Sequence, residues 1–232
     1  MPATEDLFTP VHKAIRSMIY DVGGRLQSND FSDLAASASV LSDLEHEFSA
    51  AISAGCILCI LHAHAGDEES TVFPAVETHD VELVRQLIED HHKFTRQLAA
   101  ITRMSRELQA DPSPENRVRT GVVLNREVND FFAAYLVHMN REEEKLVPMM
   151  QQQFTDDQLR TMRGTIMGRM PPERLAAILR WMLPALNMAE LTGMVGGAKR
   201  TMPPPVFQGF SKIAEGSVPP ARWQMVRERV GF

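Results

Sequence analysis

A repeated eleven-residue pattern constrains this chain more than any other feature of its sequence. The segments His64–Pro74 (HAGDEESTVFP) and His138–Pro148 (HMNREEEKLVP) share a histidine at position i, glutamates at i+4 and i+5, an apolar pair at i+8 and i+9, and a proline at i+10. Among the eight histidines, only His64 and His138 are followed by glutamate four residues later and by proline ten residues later. We infer that the chain is built from two related halves.

Each half also carries a second histidine upstream of the repeated pattern. His12 precedes His64 by 52 residues, and His91 precedes His138 by 47 residues. Both upstream histidines are followed by apolar residues three and seven positions later, which is the spacing of one helix face. If the helix face that carries the ligand were displaced by one residue, His92 would be the candidate ligand in place of His91.

The spacing of apolar residues predicts an all-α protein. Apolar residues recur every three to four positions, and no segment shows the alternation that is typical of strands. We expect an up-down four-helix bundle over residues 1–153. Residues 154–232 hold short helical segments separated by prolines, which are too short to be stable alone. We therefore expect them to form a helical C-terminal extension that packs on the bundle.

Capping residues and prolines predict where the bundle helices begin and end. Ser113 followed by Pro114 predicts the start of the fourth helix, because a capping side chain precedes proline at the first helical position. The segment Ser42–Glu45 has the pattern of a capping box and predicts the start of the second helix. Pro74 and Pro148 predict the ends of the helices that carry the two repeats.

The hairpin arrangement predicts that the two halves meet at one site. Residues four apart are neighbours on one helix face, and in an antiparallel hairpin the start of one helix lies beside the end of the next. We expect Glu68 and Glu142 to bridge two metal ions, with a pair of histidines on each ion. The six candidate ligands are His12 and His64 for one ion, His91 and His138 for the other, and the shared Glu68 and Glu142. The neighbouring acids Glu69, Glu143 and Glu144 are expected to face solvent, with hydrogen bonding to the ligands as the alternative role.

Mixed imidazole and carboxylate ligands suit iron, and also zinc, manganese or nickel. Such a site leaves coordination positions open for small molecules such as O2, NO, peroxide or water. Ferritin-like di-iron bundles use Glu-x-x-His, whereas here histidine comes first and the spacing is four. The order of the residues therefore argues against a ferritin or a related oxidase.

These residues resemble the hemerythrin-like HHE cation-binding domain, in the form found in BRUTUS-type iron regulators. The resemblance rests on the upstream histidines and on the two repeats, and it covers about residues 1–190. It implies a non-haem di-iron centre, with an oxo, hydroxo or water bridge, that binds O2, NO or peroxide in sensing, scavenging or iron handling. A di-iron peroxidase or NO-consuming enzyme, and a zinc, manganese or mononuclear structural module, are the alternatives. Where oxygen-carrying relatives have a fifth histidine, this chain has Thr95.

Composition and charge exclude several other classes of protein. The formal net charge is −6 and there is no run of lysine and arginine, so we expect no nucleic-acid partner. The longest apolar stretch, residues 50–61, is shorter than the roughly 20 residues that span a bilayer, so we expect no membrane contact. Two cysteines rule out a disulfide scaffold, and no secretory signal is recognised at the N-terminus, so we expect a cytoplasmic protein. The oligomeric state stays open.

Overall fold

A computed structural model describes residues 4–45 and 56–232 of the 232-residue chain. Within these ranges the protein is helical and contains no strand, which confirms the all-α prediction. The helices are α1 Thr9–Gln27, α2 Leu34–Asp43, α3 Ile57–Asp67, α4 Phe73–Val76, α5 Val81–Ala110, α6 Pro114–Arg141, α7 Val147–Gln153, α8 Asp156–Arg169, α9 Pro172–Ala185, α10 Met188–Thr201, α11 Pro204–Ser217 and α12 Pro220–Val230. Across these described helices, none has an apolar stretch long enough to cross a bilayer.

Helices α1, α3, α5 and α6 form the predicted four-helix bundle. Helix α1 contacts α3 and α6, and α5 contacts the same two helices, so the four close into a ring around one apolar core. The fourth helix of the bundle, α6, begins as predicted, with the Ser113 hydroxyl accepting a hydrogen bond from the Asn116 N–H. The four-helix bundle expected from the sequence is therefore confirmed.

Pro74 and Pro148 do not end their helices, so this prediction was wrong. Each proline lies just after a π-helical segment, Glu68–Val72 or Glu142–Leu146, and the helix continues beyond it. In the first repeat the Phe73 N–H donates to the carbonyl of Glu68, five residues back, and the second repeat has the same bond. The wider π turn relieves the clash between a proline ring and the preceding turn. The repeated proline thus marks a π turn, and each π turn begins at a candidate ligand.

The predicted capping box at Ser42–Glu45 was also wrong. Ser42 lies within α2, and its hydroxyl donates to a carbonyl of the preceding turn, so it does not cap a new helix. Helix α3 instead begins after Cys56, whose sulfur accepts a hydrogen bond from the Cys59 N–H. Phe48 and Ile52, which were expected to lie in this helix, fall outside the described residues.

Three apolar clusters organise the packing. One fills the bundle, and a second lies at the end of the bundle that holds the prolines, around Phe8 and Phe73. The candidate ligands lie between these two clusters, because the ring of His12 contacts Phe8 and the ring of His138 contacts Phe94 of the bundle core. The third cluster lies in the C-terminal extension, whose helix α9 packs against α1.

Gly121 of α6 allows a close approach to the loop before α2. A Cβ atom at this position would overlap the ring of Phe31, and both residues are buried. We expect Gly121→Ala to lower the free energy of unfolding by about 1–3 kcal/mol through overpacking, as measured by urea denaturation. Gly164→Ala is the control: its Cβ would meet open space on α8, so it should raise stability by about 0.5–1 kcal/mol. Equal effects of the two substitutions would contradict this packing.

Candidate metal centre

The structure brings all six sequence-predicted residues together. Helix α1 supplies His12, α5 supplies His91, and each repeat supplies a histidine from α3 or α6 together with the first glutamate of the following π turn. Their ligand atoms form two groups, and within each group the atoms lie within 4.8 Å of one another. One group is His12, His64, Glu68 and Glu142, and the other is Glu68, His91, His138 and Glu142. The two glutamates belong to both groups.

Within each group the two histidines face each other through their Nε2 atoms. The Nε2 atoms of His12 and His64 lie 3.2 Å apart, and those of His91 and His138 lie 3.0 Å apart. Two nitrogens bound to one cation at about 2.1 Å lie roughly 3.0 Å apart when the bonds are perpendicular and roughly 3.4 Å apart in a tetrahedron. Both pairs therefore have the spacing of two ligands on one cation.

The two shared glutamates span the two histidine pairs. The Oε1 atom of Glu68 lies 3.1 Å from Nε2 of His64, and its Oε2 atom lies 3.4 Å from Nε2 of His91. Glu142 reaches the remaining histidine of each pair at 3.4 Å on both sides. All four carboxylate oxygens are buried and accept no hydrogen bond from the described residues. Because burying an unpaired carboxylate costs several kcal/mol, this arrangement calls for cations between the oxygens.

The second glutamate of each repeat holds a histidine of the other half. The Nδ1 atom of His12 lies 2.9 Å from Oε1 of Glu143, and Nδ1 of His91 lies 2.8 Å from Oε1 of Glu69. A histidine that donates from Nδ1 to a carboxylate keeps the lone pair of Nε2 free for a metal. Glu69 and Glu143 therefore take the alternative role of orienting ligand histidines, while Glu69 and Glu144 are also exposed as expected. The signal was present in the sequence, since both repeats have glutamate at i+5.

Asp90 accepts from Nδ1 of His138 in the same way, and the sequence did not predict this role. Its Oδ2 atom lies 3.2 Å from Nδ1 of His138 and also accepts a hydrogen bond of 2.7 Å from Arg141. Asp90 stands directly before His91, but the equivalent position before His12 is Val11. Comparison of the two halves could not have found this acid, because only one half has it.

His92 and Thr95, the two other residues considered as ligand positions, both lie away from the centre of the site. His91 is buried in the site whereas His92 is exposed, so the alternative ligand does not lie at the centre. The hydroxyl of Thr95 donates to the carbonyl of His91 at 3.0 Å, so it turns back onto its own helix. Within the part of the chain that is described, the two groups offer six side chains from the sequence prediction and no seventh.

Burial and the mutual charges of the site residues shift their pKa values in opposite directions. Burial, followed by the charge of Glu142, raises the pKa of Glu68 well above its usual range. Burial lowers the pKa of His138, but Glu142 and Asp90 outweigh it and raise the pKa to about 10. Burial, together with the neighbouring histidine, lowers the pKa values of His64 and His91. Because metal ligands must be deprotonated, a cation that binds here competes with the proton of His138, and the raised pKa of Glu68 adds to that competition.

This site defines a class of protein: a helical bundle whose centre holds a cation-binding cluster of histidines and carboxylates. The model of the Hemerythrin HHE cation binding domain family matches residues 4–150, which is more than half of the chain. The chain therefore belongs to the hemerythrin HHE cation-binding family. No match was found among curated proteins or among solved structures.

The burial of Glu68 predicts a pH effect on the metal-free protein. An acid whose pKa is raised on folding binds more protons folded than unfolded, so the stability it confers falls as pH rises above its ordinary value of 4.5. We expect Glu68→Gln, measured with chelator present, to gain melting temperature relative to wild type as pH rises from about 5 to about 8. Glu144→Gln is the matched control and should follow wild type. Parallel pH curves for Glu68→Gln and wild type would contradict the assignment.

Proposed function

We propose that the protein holds two iron ions between His12, His64, His91, His138 and the two shared glutamates, and that it binds a small ligand at this centre. The ligand would be O2, NO or peroxide, and the role would be sensing, scavenging or iron handling in the cytoplasm. One observation carries the proposal: two buried carboxylates, each lying between two histidine pairs, have oxygens that accept no hydrogen bond.

The charges around the site support a pair of divalent cations. Besides the two shared glutamates, three further carboxylates lie against the histidine rings, namely those of Glu69, Glu143 and Asp90. Two guanidinium groups pair with them, since Arg16 contacts Glu143 at 2.7 Å and Arg141 contacts Asp90 at 2.7 Å. Five carboxylates and two guanidinium groups leave a formal charge of −3, which one divalent cation would not neutralise and two would exceed by one charge. Two imidazoles with carboxylate on each ion favour iron, while zinc and manganese accept the same donors.

The surroundings of the site support a small ligand. The site lies between two apolar clusters, and the side chain of His64 is 11% exposed whereas that of His138 is 1% exposed. Of these rings, that of His64 is the one that solvent reaches, so a small ligand would approach the centre from the His64 side. Iron in such a site supplies open coordination positions and a change of oxidation state. The chain itself holds the rings in place, excludes bulk water and keeps the Nε2 lone pairs free.

Metal content tests the first part of the proposal. We expect wild-type protein, reconstituted with Fe2+ under anaerobic conditions and desalted, to retain two irons per chain by elemental analysis. Glu142→Ala removes a ligand from both groups and should lose both irons. Glu144→Ala, two residues along and exposed, should retain them. Retention of both irons by Glu142→Ala would refute the bridging role, and one tightly held zinc in place of iron would favour the structural alternative.

Ligand exposure tests the second part. We expect the absorption spectrum of the iron-loaded protein to change on addition of O2, NO or peroxide and to saturate at a fixed ratio of ligand to iron. Zinc-loaded protein is the control and should show no change, because zinc has no redox chemistry. Continuous consumption of NO or peroxide would assign the protein to the enzyme alternative. An unchanged spectrum with all three ligands would contradict the proposal.

A further inference from the structure

The C-terminal extension reaches into the turn that holds Glu68. Arg174 of α9 forms an ion pair with Asp67, the residue directly before Glu68 and one turn after His64. Both partners are largely shielded from solvent, with side chains 9% and 17% exposed. Removing one partner of a buried pair leaves the other charge unpaired, which is far more costly than loss of a surface pair.

Two further contacts of the extension fall beside the same ligands. Lys13, the residue after His12, is paired with Glu190 at the start of α10 at 2.6 Å. Arg169, at the end of α8, donates to the hydroxyls of Ser70 and Thr71 in the first π turn, at 3.4 Å each. The extension therefore contacts both helices that present the His12 and His64 pair.

The second histidine pair is held in a different way. His138 is oriented by Asp90, and Asp90 is paired with Arg141, so both supports come from the bundle helices α5 and α6. The first half lacks this acid, since Val11 stands where Asp90 would be. The π turn after His64 is instead fixed from outside by Arg174.

We infer that the two cation sites are unequal, and that Arg174 and Glu190 of the extension are positioning residues for the His12 and His64 site. This inference rests on the proposed metal function and adds that different parts of the chain support the two cation sites. In the His91 and His138 site, His138 is supported within the bundle by Asp90, and the first π turn contributes Glu68 and also Glu69, which orients His91. The first site reaches its full affinity only with the extension docked, so undocking of residues 154–232 would release or open that site first.

The inference is tested by placing Arg174→Met in two backgrounds, each of which keeps one site. His138→Ala retains the first site and His64→Ala retains the second. We expect anaerobic Fe2+ titration by calorimetry to show that Arg174→Met weakens binding about 10- to 100-fold in the His138→Ala background, the range typical for partners that orient ligands. In the His64→Ala background the loss should be clearly smaller, because Arg174 then acts only through the shared Glu68 and through Glu69, which orients His91, while His138 keeps its support from Asp90.

Two further variants keep the test independent of folding. Glu190→Gln removes the ion pair with Lys13 but retains the side-chain oxygen that caps α10, so it should weaken the first site without unfolding the extension. Arg222→Met is the matched control, because Arg222 donates to the carbonyl of Pro184 within the extension and does not touch the site. Arg222→Met should leave both affinities unchanged.

The possible outcomes separate this inference from the proposed function. A wild-type chain that binds no Fe2+ would contradict the proposed function and the inference with it. If wild type binds two Fe2+ ions, then equal losses in the two backgrounds would overturn the inference alone. No loss in either background, or the same loss from Arg222→Met as from Arg174→Met, would also overturn it. A loss concentrated on the first site, reproduced by Glu190→Gln, would support it.

Discussion

Two carboxylates buried without hydrogen bonds are the constraint on which the rest of this structure depends. Glu68 and Glu142 lie where the four bundle helices meet, and each is surrounded by imidazole nitrogens that donate nothing to it. Replacement of such buried acids by apolar residues of similar volume is often neutral or stabilising, so packing alone does not account for them. Bound cations would account for the two buried acids and for the histidine nitrogens that face them.

The two π turns serve this constraint. A π turn inserts one extra residue into a helix and changes the direction of the side chains that follow, which is why such turns are common at functional sites. Here each begins at a shared glutamate and is followed by the repeated proline. The residue directly after each shared glutamate, Glu69 or Glu143, contacts a histidine of the opposite half. The π turn, present once in each half, thus supplies both the shared acids and the acids that orient His12 and His91.

The sequence predicted the parts of the site that the repeat encodes and missed those that it does not. The six residues could be found because each half repeats the same residue types at the same spacing, and helix geometry brings them together. The π turns could not be read from that spacing, because proline after an amphipathic helix normally predicts an end. Asp90 was missed because only one half has it. The start of the second bundle helix was misplaced because Ser42–Glu45 has the residues of a capping box although Ser42 lies in the last turn of α2.

The central claim is that two cations lie side by side between the histidine pairs and share both glutamates. Crystals grown with Fe2+ under anaerobic conditions, with data collected above and below the iron absorption edge, test this most directly. The account predicts two anomalous peaks in the bundle centre, one beside His12 and His64 and one beside His91 and His138, both in contact with Glu68 and Glu142. A single peak, or peaks only on the surface with the two acids hydrogen-bonded to water, would contradict it.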